Sequence, residues 1–240
     1  MRYLPHQDNE ISAKQRAWCL IEIAHRVSRR TGETSLLDQY RAIQGFQASH
    51  HQAKWSTEEL LRAALSLEIL SANQAAFQFA QEAVKTQWAG SLSPTKHQQA
   101  ILIIDHHQKQ LADAKQKPAD NDHVEQELRE ALKQGDELAA KEALSKLGKD
   151  RQALYAFVIS SPGRQSTQLY KELDHLLKEE KISEDLQAEA YFYLGCLALE
   201  AGETLSTFTA LQTSKRLAPD SPFQPIRQFY LMQLGSLAGN

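Results

Sequence analysis

The sequence predicts an all-α protein of stacked antiparallel helix pairs, and three observations carry that prediction. Apolar residues recur at intervals of three and four along almost the whole chain, and strict alternation is nearly absent. Glycine and proline number only 10 and 7 in 240 residues, well under the usual ~7% and ~5%. Hydrophobic residues make up 42% and aromatics 8%, with Ala and Gln filling much of the rest. This balance disfavours turn-rich sandwiches and barrels, disorder, and glycine-cradled nucleotide sites. At 27.1 kDa the chain has room for one large domain or two modest ones.

Each element has its own signal. The first helix is predicted from Ser12 to Arg30, with Trp18, Ile21, Ile23, Ala24 and Val27 inward and Gly32 ending it. A second follows Thr34 with Leu36, Leu37, Tyr40, Ile43 and Phe46, fading into His50-His51. Ser56 with Glu59 three residues on is a capping box opening a third helix through Leu70. After Ser71-Ala72-Asn73, a fourth carries Ala76, Phe77, Phe79, Ala80, Val84 and Trp88 before Gly90. Ser93 with Pro94 starts a fifth, running to Lys115. Residues 116–122, containing Pro118, form the clearest linker, dividing an N-terminal helical region (1–115) from a repeat-like region (123–240).

Beyond the linker, shorter helices are predicted over 124–134, 137–147, 151–159, 165–180, 184–201, 204–217 and 224–237. Loops of two to six residues give the cadence of stacked antiparallel pairs.

Within that region, Tyr191, Leu194-Gly195, Ala198, Gly202, Leu211 and Leu217-Ala218-Pro219 fall at the signature positions of a ~34-residue two-helix unit. Residues 188–221 therefore resemble a tetratricopeptide repeat. Thr207 and Ser214 stand where that pattern favours other small residues, and a fainter echo spans 121–150 without the Leu-Gly pair. The resemblance implies that Gly195 lets the second helix approach and that Pro219 stops it. It also implies a concave partner-binding face at Glu189, Phe192, Cys196, Leu199 and Glu200. Phe192 and Leu199 equally suit packing against the preceding helix pair. The final helix, with Phe223, Ile226, Phe229, Tyr230, Leu231 and Leu234, is expected to cap the stack.

With 27 basic and 30 acidic residues the net charge is −3, so no global field favours nucleic acid or an anionic membrane. Cys19 and Cys196 lack CxxC partners and are expected as reduced core residues, pointing to the cytoplasm; a periplasmic domain of an anchored protein is the other expectation. The apolar runs are too short to span a bilayer. The one dense basic cluster is His25, Arg26, Arg29 and Arg30. It suits a dipole-matched helix end or, alternatively, a phosphate-contacting patch. Asp105-His106-His107 resembles the metal-binding element of a phosphoesterase family, but the earlier Asp-x-Asp and glycine-rich loops of that family are missing. His50-His51 fits a helix C-terminus.

The leading expectation is a non-catalytic adaptor with no cofactor, metal or catalytic residue, binding a protein partner through a concave groove. A nucleic-acid-binding or ligand-responsive regulator using the basic helix is the alternative, and a metal-dependent phosphoesterase the third.

Overall fold

The computed structural model describes residues 13–31, 35–52, 54–86, 92–114 and 123–238. The predicted linker 116–122, Gly32, Trp88 and Gly90 lie outside these residues. Within them the chain is all-α, with twelve helices and no strand.

The first half holds α1 (Ala13–Thr31), α2 (Leu36–Gln52), α3 (Thr57–Ile69), α4 (Asn73–Lys85) and α5 (Pro94–Ala114). The Ser56–Glu59 capping box is formed in both directions at the start of α3, so two otherwise orphan amides are satisfied. Helices α1–α2, α3–α4 and α4–α5 pack as neighbours, and α3 and α4 are joined by the short connection 70–72. Their apolar stripes bury Ile21, Ala24, Ile43, Phe46, Leu60, Leu67 and Phe79 in one cluster. Trp18 and Trp55 edge it, their rings 5.0 and 5.6 Å from Phe46.

The second half holds α6 (His123–Gln134), α7 (Glu137–Lys146), α8 (Lys149–Ser160), α9 (Ser166–Lys178), α10 (Glu184–Glu200), α11 (Thr204–Leu217) and α12 (Gln224–Ala238). Its tightest pair is α10–α11. A Cβ on Gly195 would fall 2.7 Å from Leu211 Cδ2 and 2.8 Å from its Cγ. Only a hydrogen leaves room for that approach. Ser214 Oγ crosses the same seam to donate to Ala188 O at 2.7 Å, and Thr207 is buried in it.

The two halves meet along α2. Val27, Leu36, Leu37 and Tyr40 belong to the second half's apolar cluster, whereas Ala42, Ile43 and Phe46 belong to the first. Helix α2 also packs on α6 and α8, and α1 meets α12, so the first and last helices touch. At the α6–α7 turn Gly135 adopts φ +72°, and a Cβ there would collide with Ile43 of α2. Cys19 lies partly exposed and not in the core, whereas Cys196 is buried; both are free.

Candidate functional site

A cleft of about 500 Å³ opens between α6, α8, α10 and the loop joining α11 to α12. Each helix delivers residues four apart, which share one helical face: Glu125 and Arg129 from α6, Arg151 and Tyr155 from α8, Asp185 and Glu189 from α10. Together they form a chain of ion pairs. Arg151 joins Asp185 to Glu125, and Arg129 Nε donates to Glu125 at 3.1 Å. Arg129 also grips Glu189 with both terminal nitrogens. From behind, the Tyr155 hydroxyl donates to Glu125 and the Tyr193 hydroxyl to Glu189. The Arg129 guanidinium lies 5.2 Å over the Tyr155 ring.

Burial would raise Glu125, but hydrogen bonds from Tyr155 and Arg129 and two guanidinium charges hold it below the usual carboxylate range. Burial would lower Arg129, yet the Glu189 carboxylate raises it. The Arg151 hydrogen bond keeps Asp185 low, and burial pushes the Tyr155 hydroxyl up. The charges on these residues are therefore fixed around neutral pH. They suit recognition of an oppositely charged group more than proton transfer.

The fourth wall is the segment 218–223. Arg227, 1% exposed, donates to Pro219 O at 3.0 Å, Ala218 O at 3.1 Å, Ser214 Oγ at 3.3 Å and Ser221 Oγ at 3.4 Å. Burial lowers its pKa, and the carbonyl dipoles take the place of a carboxylate partner. Phe223 stacks on Phe192 with centroids 5.0 Å apart and planes 13° off parallel. With Asp220 on the rim, the lining carries four carboxylates against two guanidiniums beside an apolar ring.

The expected groove residues do not share one open face. Phe192 and Cys196 are buried at 1% and 4% exposure, because the apolar side chains of a central helix are drawn into the core. Glu189 is turned into the cleft wall, and Leu199 packs against the main cluster. Glu200 faces α2, where Arg41 Nη1 reaches its two oxygens at 3.0 and 3.1 Å.

The basic cluster is also divided. His25 is buried and its Nε2 lies 2.6 Å from Ser66 O. Arg26 pairs with Glu22 at 3.0 Å, and Arg29 and Arg30 are exposed at the helix end. Asp105, His106 and His107 sit on a helix and diverge. Asp105 is exposed, His106 Nδ1 lies 3.4 Å from Glu68, and His107 packs 4.7 Å from the Phe77 ring. Burial and His106 lower the pKa of His107. Among the described residues no group of three or more His, Cys, Asp or Glu side chains is placed to hold a metal ion. His50 pairs with Glu82 at 3.1 Å.

Comparison with known proteins gives no matching family model, no matching curated protein and no matching solved structure. No helix among the described residues is long and apolar enough to cross a membrane.

Proposed function

We propose that the chain is a non-catalytic helical-repeat scaffold that binds a protein partner through the cleft between α6, α8, α10 and residues 218–223. The observation that carries this reading is the preformed, internally braced wall Asp185–Arg151–Glu125–Arg129–Glu189 facing Phe223. A rigid wall needs little ordering on binding. Its carboxylate excess, with an aromatic ring and Pro219 and Pro222 alongside, suits an extended segment presenting Lys or Arg next to an apolar side chain.

A tetratricopeptide-like unit over 188–221 belongs to the same proposal. The close Gly195–Leu211 approach and the end of α11 just before Pro219 support it. Two unpaired thiols, on α1 and α10, fit a reducing compartment such as the cytoplasm.

The test is selection of displayed random peptides against the folded chain, followed by titration of the tightest peptide. The expected result is enrichment of a basic residue beside an apolar one. Binding should fall at least tenfold in Asp220→Lys and Phe223→Ala while the helical signal is unchanged. Equal binding by the folded variants would remove the cleft from the proposal.

A further inference from the structure

Arg151 differs from the rest of the cleft wall in how it is held. Arg129 is fixed on three sides, with both terminal nitrogens on Glu189, Nε on Glu125 and its guanidinium over the Tyr155 ring. Glu189 behind it takes a further bond from the Tyr193 hydroxyl. Arg151 instead makes one bond to each of two carboxylates on different helices, Nη1 to Glu125 Oε2 and Nη2 to Asp185 Oδ2. Its side chain is 37% exposed and that of Asp185 50%. Single-bonded pairs this open to water hold weakly.

The helix ends also make Arg151 the member the wall can spare. It is the third residue of α8, whose N-cap Gly148 gives no side chain to the terminal amides. A cation there meets the positive end of the helix dipole. Asp185 lies in the first turn of α10, where the same dipole favours its charge without a cation beside it. Glu125 Oε1 keeps Arg129 Nε and the Tyr155 hydroxyl. Withdrawal of Arg151 therefore strands no buried charge. It opens two acceptors on the cleft lining, Glu125 Oε2 and Asp185 Oδ2.

We propose that Arg151 is an internal stand-in for the partner's basic residue, and that this residue is an arginine which takes the same seat on binding. The proposal rests on the cleft being the binding site. The chain's own guanidinium shows what the seat fits: a planar cation whose two terminal nitrogens reach carboxylates on two helices at once. A lysine ammonium is a single point of charge and fills that seat less well. On binding, the Arg151 side chain swings out into water while Glu125, Arg129 and Glu189 keep their places. Competition with Arg151 holds off segments that carry only a basic residue. A segment that also engages Asp220 and Phe223 on the cleft lining displaces it.

The test is titration of the tightest display-selected peptide, and of its arginine-to-lysine counterpart, against the full chain and its folded variants. Arg151→Gln should tighten the arginine peptide about three- to tenfold, because it removes the competitor for two exposed pairs. Lys149→Gln, the same loss of charge on an exposed side chain two residues away, should change binding by less than about twofold. The lysine counterpart should bind the wild type about fivefold more weakly. Suppose Arg151→Gln binds the arginine peptide no more tightly, while Asp220→Lys and Phe223→Ala still weaken it. The stand-in is then overturned and the cleft survives. Equal tightening by Lys149→Gln, or selection of lysine in place of arginine, overturns the stand-in in the same way. If Asp220→Lys and Phe223→Ala leave binding unchanged, the cleft is lost and the stand-in with it.

Discussion

Replacing Arg129 by methionine tests the wall of the cleft. The Glu189 side chain is 9% exposed and accepts from both terminal nitrogens of Arg129 and from the Tyr193 hydroxyl. Arg129→Met leaves that carboxylate buried with the tyrosine as its one remaining donor here. Breaking one side of a buried pair costs about 3–5 kcal/mol. The Arg129 side chain is 33% exposed, so water re-enters the gap and the expectation drops to about 2–3 kcal/mol. Glu125 keeps Arg151 and Tyr155 and adds little. Urea unfolding followed by circular dichroism measures the loss. Arg129→Met with Glu189→Met should recover most of it, because a matched apolar pair leaves no stranded charge. A single-variant cost under about 0.5 kcal/mol, or a double variant as costly as both singles summed, would refute the argument that the wall is braced by this pair.

Other expectations follow the same logic. Gly195→Ala should cost about 1–3 kcal/mol in urea unfolding, since its methyl group meets the fully buried Leu211. Gly135→Ala should cost about 1–3 kcal/mol through positive φ and collision with Ile43, weakening the α2–α6 seam; exchange rates of α2 amides would report it. Lys14 and Ser56 hold Glu59 down to about 2, so its stabilising contribution is present above its ordinary value of 4.5 and is lost as pH falls towards 2. Acid unfolding between pH 5 and pH 2 should accordingly be shallower in Glu59→Gln. Ser56→Ala, losing the same cap, should cost about 1 kcal/mol by thermal melting.

Local signals were legible in the sequence. The Ser56–Glu59 box depends on residues within one turn, whereas the close approach of Gly195 to Leu211 joins two helices and was expected only through the repeat resemblance. Helix boundaries, like the box, follow local sequence and fall within a few residues of the periodicity. Apolar spacing tells which face of a helix is buried but not which helix covers it. That is why Phe192 and Cys196 fitted a groove in sequence yet lie in the core.

The cleft did leave a trace in three i,i+4 pairs, Glu125/Arg129, Arg151/Tyr155 and Asp185/Glu189. Pairs at this spacing are common on solvated helix faces, so only tertiary packing singles these out. Arg227 and Arg41 gave a subtler sign, each a lone cation on an apolar helix stripe. Their partners are mainly backbone carbonyls in one case and a carboxylate 159 residues away in the other. His25 turns inward for a comparable reason, to a carbonyl on α3 that no local pattern reveals.

The most direct measurement for the cleft is photo-crosslinking of the tightest display-selected peptide to chains carrying the photoreactive residue at either of two positions. One replaces Pro222, exposed on the cleft rim, and the other replaces Leu102, 59% exposed on α5. Recognition in the cleft predicts a strong adduct from position 222, abolished by Phe223→Ala, and none from position 102. An adduct from position 102 with none from position 222 would contradict it.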